Sequence, residues 1–263
     1  MRNFFIKKIL CCFVMIIICC MAAAWRPQAQ AAQNYNLIFL HHSCGENWLN
    51  DGLRKALQDR GLGVHDATYG DAIGEDTDVC HWYPKFRDQL KLIFTFDKHP
   101  DIYYSDARQN DIIMFKSCFP NSDIISEGDP KTATPEDSER TMANYKATYN
   151  ALKDIFAAHP DKLFIIVTAP PLLAAETSSA NARRARQFNT WLATQYPDNY
   201  HKESGLANTA VFDFFGVLAD QNSFLRRDLA SGPGDSHPNK TGNEKATQAF
   251  LPFLDSAIAQ WKE

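Results

Sequence analysis

The feature that most constrains this chain is a series of short apolar runs separated by longer segments of helical periodicity. Leu163-Phe164-Ile165-Ile166-Val167 is the clearest run, stopped soon afterwards by Pro170-Pro171. Asn36-Leu37-Ile38-Phe39-Leu40-His41 and Asp111-Ile112-Ile113-Met114-Phe115 are two more, and Leu62–Tyr69 and Val211-Phe212 read as further strands. Between them, Trp48, Leu49, Leu53 and Leu57 fall at helical spacing up to a stop at Gly61. Met142, Tyr145, Tyr149, Leu152, Ile155 and Phe156 mark one side of a helix over Asp137–Ala158. Two more helices are expected over Asn181–Tyr196 and Thr241–Trp261. Strands that alternate with helices predict one α/β domain built on a parallel sheet. Ligands of such sheets lie outside the carboxyl ends of the strands. The unusual polar residues fall there: Ser43 after the first strand, Lys116–Asn121 after the third, Asp235 and His237 before the last helix.

One segment breaks the alternation. Between Gly70 and Asn110 the chain places Trp82, Tyr83, Phe86, Phe94, Phe96, Tyr103 and Tyr104 among charges. It reads as a crossover with a helix near Phe86–Phe96 and a loop, or as one wall of a substrate groove.

The amino terminus is a separate object. Arg2, Lys7 and Lys8 precede an apolar run from Ile9 to Ala24, and Ala29-Gln30-Ala31 supplies a small-x-small cleavage pattern. Residues 1–31 are therefore expected to be a signal peptide and 32–263 the folded domain, exported to the periplasm or the medium with no membrane span after cleavage. Cleavage removes Arg2, Lys7, Lys8 and Arg26, leaving 23 basic against 31 acidic residues. An acidic chain without a Lys/Arg cluster is a poor partner for nucleic acid or anionic membranes. Cys44, Cys80 and Cys118 remain, an odd number for an oxidising compartment. A Cys80–Cys118 disulfide is expected to pin the crossover to the site, with Cys44–Cys118 as the other pairing.

Three blocks carry chemistry. Ser43 sits between a strand end and Gly45, where it is either a helix N-cap or a nucleophile beside helix N–H groups aimed at a developing oxyanion. Asp235 precedes His237 by two residues in a Gly/Pro-rich loop; a histidine held by a carboxylate is the base a serine nucleophile requires. Asn121, after Pro120, is either a turn residue or an amide donor to an oxyanion.

In that order, these blocks resemble the SGNH/GDSL hydrolase superfamily. The resemblance implies a three-layer αβα, flavodoxin-like parallel sheet of about five strands. It implies Ser43 as nucleophile, His237 as base and Asp235 as its orienting acid, with Ser43, Gly70 (or Gly74) and Asn121 forming the oxyanion hole. The first block departs from the family, reading His41-His42-Ser43-Cys44-Gly45 where Gly-Asp-Ser-Leu is usual, and the third lacks Gly-x-Asn-Asp. The Asp–x–His spacing is similar to that of polysaccharide O-acetyltransferase relatives. No cofactor or metal is implied, and the expected substrate is an acylated small molecule, glycan or lipid. The competing readings are a carbohydrate-binding protein on the same fold, with Trp82–Tyr104 as its surface, and a metal site using His41, His42, Cys44, Cys80 or His81. The metal reading finds no C-x-x-C or H-x-x-x-H spacing. A fourth reading makes Cys44 the nucleophile instead of Ser43.

Overall fold

A computed structural model describes residues 34–263. The expected signal peptide lies outside the described residues. The sheet has five parallel strands: β1 (Asn36–Leu40), β2 (Gly63–Ala67), β5 (Ile112–Lys116), β6 (Leu163–Val167) and β7 (Thr209–Phe212), in the order β2-β1-β5-β6-β7. Numbered as sheet strands this is 2-1-3-4-5, the flavodoxin-like order of doubly wound folds. The expected fold class is the one observed.

The apolar runs are explained by which way their residues point. Successive side chains of a strand face opposite sides of the sheet. Ile38, Leu40, Ile113, Phe115, Phe164 and Ile166 face one core; Leu37, Phe39, Ile112, Met114, Leu163 and Ile165 face the other. Both faces are covered, so no position of β5 or β6 can be polar without cost, apart from Lys116 at the end of β5. On the first face lie α3 (Val79–Thr95), α4 (Met142–Ala157) and α5 (Ser179–Ser204), which contribute Trp82, Phe86, Tyr149, Phe156 and Tyr196. On the second lie α1 (Ser43–Trp48), α2 (Arg54–Gln58) and α7 (Lys240–Lys262), which contribute Trp48, Leu57, Phe250 and Leu254. The Phe156 and Phe164 rings stack at 4.1 Å. Burying one such side chain is worth about 1.5–3 kcal/mol, so Phe164→Ala would cost roughly 3–5 kcal/mol with its cavity included.

Several element bounds differ from expectation for local reasons. The helix expected from Asp137 starts at Met142, because the Thr141 side chain accepts the Asn144 N–H at 3.1 Å and caps it there. The helix periodicity after Ser43 is interrupted at Leu49–Leu53, where Gly52 takes φ +117°. That left-handed kink favours glycine. Beyond it Leu53 and Leu57 still reach the core. The aromatic segment is the crossover reading: α3 followed by a short hairpin of β3 (Phe96–Lys98) and β4 (Ile102–Tyr103). Its aromatics are largely core: Trp82, Phe86 and Phe96 are fully buried. A short helix, α6 (Phe214–Leu218), follows β7. The expected loop around Asp235 is instead a hairpin of β8 (Ala230–Gly232) and β9 (Asp235–Pro238). No helix among the described residues is long and apolar enough to cross a membrane.

Candidate active site

Ser43, Asp235 and His237 meet although the first is nearly two hundred residues from the others. Two features deliver them. Ser43 opens α1 directly above the end of β1, and Gly45 lets that helix sit on the strand: a Cβ there would lie 2.4 Å from the Cβ of His41. Ser43 is not the cap. His42 occupies that position in extended backbone, with its Nε2 2.9 Å from the Gly74 carbonyl and its ring stacked on Tyr69 at 3.8 Å. Burial lowers the His42 pKa.

The partner arm is delivered by α7. Trp48 Nε1 donates to Thr247 at 2.9 Å, and Asn243 donates to Asp51 at 2.7 Å, tying α7 to the segment after Ser43. β9 runs into α7 and so lies beside Ser43. Within β9 the two-residue spacing becomes meaningful. In a strand, residues i and i+2 share a face. Asp235 and His237 are half-buried on one side, while Ser236 between them is buried and accepts the Leu173 N–H at 2.8 Å. Ser236 also donates to Glu176.

The resulting chain of contacts is short and ordered. Ser43 Oγ lies 2.8 Å from His237 Nε2, and His237 Nδ1 lies 2.6 Å from Asp235 Oδ1. The same carboxylate oxygen accepts the His237 backbone N–H at 3.0 Å, which fixes its direction. That N–H first, then the His237 ring, lower the Asp235 pKa. With Asp235 ionised, the ring carries its proton on Nδ1 and presents a lone pair on Nε2 to the Ser43 hydroxyl. Phe119 packs edge-on against the His237 ring, 4.9 Å between centroids.

The other expected site residues are placed differently. Asn121 is buried, and its amide is committed: Nδ2 donates to Asp78 at 2.7 Å and to the Cys118 carbonyl at 3.2 Å, while Oδ1 accepts from Val79 N at 3.0 Å. Gly70 has φ +89° and its N–H donates to Glu75 at 2.7 Å; Gly74 gives its N–H to the Asp71 carbonyl at 2.9 Å. The Ser43 contacts are made instead by Cys118, whose Sγ is 3.7 Å from Ser43 Oγ and 3.2 Å from Cys44 Sγ. All three described cysteines are unbridged, and the sulfur that meets Cys118 is Cys44 rather than Cys80. The expected Cys80–Cys118 disulfide is therefore corrected. The reason is sheet order: β1 and β5 are neighbours with Leu40 paired to Phe115, and Ser43 and Cys118 each stand three residues further on.

Charge in this corner is unusual. Lys116 is completely buried, and its Nζ donates to the Ser117 carbonyl at 3.0 Å. The Cys44 thiol donating to Cys118, then the Lys116 ammonium, the Cys44 N–H and the Ser43 hydroxyl, outweigh burial and bring the Cys118 thiol down to about 4. Burial pushes the Cys44 thiol far up. The surroundings thus favour the thiolate on Cys118 over Cys44. Cys44, Cys118 and His237 also bring ligand-type atoms within 4.8 Å of one another, while His41, His42, Cys80 and His81 do not join them. The buried Lys116 ammonium acts on both sulfurs and opposes a cation there. His41 is buried, with Nδ1 3.0 Å from the His42 carbonyl and Nε2 3.5 Å from Asp66.

No family model and no curated protein matches the sequence. Solved structures do. A carbohydrate esterase family 2 enzyme with a carbohydrate-binding domain, from Corynascus thermopiles (Myceliophthora fergusii), is 16% identical with a TM-score of 0.47, over 89% of this chain and 69% of that one. A protein from Slackia heliotrinireducens assigned to the SGNH hydrolases is 14% identical at 0.45, over 84% of this chain and 100% of the other. The periplasmic domain of a lipopolysaccharide acetyltransferase from Salmonella ser. Paratyphi A is 12% identical at 0.40, over 87% of this chain and 85% of the other. These are likenesses of fold, and the chemistry of the site is read from the chain's own residues.

Proposed function

We propose that this protein is an exported serine esterase that hydrolyses or transfers an acyl group through an acyl-Ser43 intermediate. One observation carries the reading: the hydroxyl, the imidazole and the carboxylate form a single line of contacts at 2.8 and 2.6 Å. A serine hydroxyl is a weak nucleophile until a base takes its proton, and a base so held is kept in the tautomer that can. Ser43 Oγ attacks the ester carbonyl as its proton passes to His237 Nε2. Asp235 stabilises the imidazolium that forms. His237 then gives the proton to the departing alkoxide, leaving the acyl group on Ser43. Water, or a sugar hydroxyl in a transferase, repeats the sequence in reverse and frees the serine. The oxyanion that develops at each step is met by the Ser43 N–H at the start of α1. The triad uses no cofactor.

The substrate classes that suit the site are O-acetylated glycans, lipid esters and small esters. Exposed Tyr69, stacked on His42 next to Ser43, offers a flat apolar face of the kind on which a sugar ring or acyl chain packs. A panel of acetylated glycans and short- and long-chain esters, with fluorophosphonate labelling, tests the proposal. Labelling should map to Ser43, and Ser43→Ala and His237→Ala should each abolish turnover. Their losses should not add, because the residues act as one unit. Full activity in folded Ser43→Ala would refute the esterase reading.

A further inference from the structure

We propose that Cys44 and Cys118 close into a reversible disulfide that switches the Ser43 site on. The inference rests on the esterase reading for its consequence, though not for the bond itself.

The two sulfurs are 3.2 Å apart, so a bond of ~2.05 Å needs a closure of about 1.2 Å between the first turn of α1 and the loop after β5, which already touch. The pair is built asymmetrically, as a reactive dithiol must be. Cys118 is half-buried and reachable, and it is the sulfur whose surroundings favour the thiolate; Cys44 is fully buried behind it, 3.2 Å away. A thiolate is the form that attacks a disulfide. The sequence of steps follows. Cys118 attacks a low-molecular-weight disulfide such as oxidised glutathione, forming a mixed disulfide and releasing one thiolate. Cys44 then loses its proton and attacks Cys118 Sγ, which breaks the mixed disulfide and releases the second thiolate. The two electrons of the pair end on the two released thiolates; one takes the proton that Cys44 loses and the other takes its proton from water.

The consequence for catalysis comes from where the charge sits. In the dithiol state Cys118 carries a negative charge 3.7 Å from Ser43 Oγ, next to the atom that attacks and to the oxyanion that follows. It also competes with His237 for the Ser43 proton. Repulsion of an anion by an anion at that range, in a half-buried site, opposes the transition state. Closing the disulfide removes the charge, leaves Lys116 as the near charge, and frees the Ser43 hydroxyl to point only at His237. Oxidation should therefore raise turnover, by about ten- to hundredfold, comparable to the loss of one oxyanion donor at most.

The experiment holds the protein with oxidised glutathione or with dithiothreitol. Peptide mapping reads the linkage, fluorophosphonate labelling reads Ser43, and hydrolysis of a short-chain nitrophenyl ester reads turnover. Oxidation should give a Cys44–Cys118 linked peptide and at least about tenfold faster labelling, reversed by dithiothreitol. Cys118→Ser should label fast in both conditions. Cys44→Ser, which cannot close, should stay slow with dithiothreitol, and with oxidised glutathione should give a Cys118–glutathione mixed disulfide in place of the linked peptide. Absence of the linked peptide after oxidation overturns the proposal, and so does a linked form that labels no faster than the dithiol. If Ser43 labels in neither state while the linked peptide forms, the esterase reading has failed and the switch with it, whereas labelling that is equal in the two states sinks the switch alone.

Discussion

Replacing Asn121 with alanine separates two roles that predict opposite readouts. As an oxyanion donor, its loss would cost ~10²–10³ in turnover and little stability. The structure assigns the amide to scaffolding, and the magnitude can be worked from its partners. Oδ1 satisfies the buried N–H of Val79 at the start of α3, at 3.0 Å. Orphaning a buried donor costs about 1–3 kcal/mol. The Nδ2 bond to the Cys118 carbonyl at 3.2 Å adds about 0.5–1.5 kcal/mol. The bond to Asp78 at 2.7 Å adds less, since that exposed carboxylate regains water, and Tyr145 at 3.4 Å adds little. The sum is about 2–4 kcal/mol, or a melting point lower by roughly 5–15 °C for a domain of this size. Differential scanning calorimetry of Asn121→Ala should show that drop. Ester turnover measured well below the new midpoint should fall by less than about tenfold. An unchanged midpoint with a hundredfold loss of turnover would refute the scaffold assignment and restore the amide to the oxyanion hole.

Four further outcomes are expected. Asp235→Asn removes the acceptor that fixes the His237 tautomer, so fluorophosphonate labelling of Ser43 should slow by at least about a hundredfold with little change in melting temperature, because Asp235 is half-exposed. Burial would raise the Asp66 carboxyl, but bonds from His41 and Arg54 outweigh it and hold it at about 2. A depressed carboxylate stabilises the fold above its unfolded value of ~3.9 and loses that contribution as pH falls towards 2. Asp66→Asn should remove about 1–2 kcal/mol at neutral pH, after discount for partial exposure, and flatten acid unfolding between about pH 4 and 2. Gly45→Ala should destabilise by roughly 1–3 kcal/mol and slow Ser43 labelling, since the new Cβ meets His41 at 2.4 Å and the first turn must lift. Mass spectrometry of the secreted protein should find Ala32 first; an intact Met1 in the membrane fraction would indicate an anchor instead.

The sequence alone determined the layers. Leu163–Val167 and Ile112–Phe115 are apolar at every position, and a strand without alternation has to be covered on both faces, which is what two helical layers do. It also singled out Ser43, Asp235 and His237, because a hydroxyl before a glycine and a carboxylate near a histidine are recognisable as residue types. It did not determine what those residues touch. The two-residue gap between Asp235 and His237 read as a loop, and became a shared face only once β9 was a strand. Asn121 looked like a donor because it follows a strand end; tertiary structure spent its amide on α3. The cysteines are the plainest case. Nothing in linear spacing favours Cys44 over Cys80 as the neighbour of Cys118, and the choice is made by β1 lying beside β5 in register. Local chemistry is written along the chain, whereas pairing depends on strand order, which is set by the packing of two cores that no single segment contains.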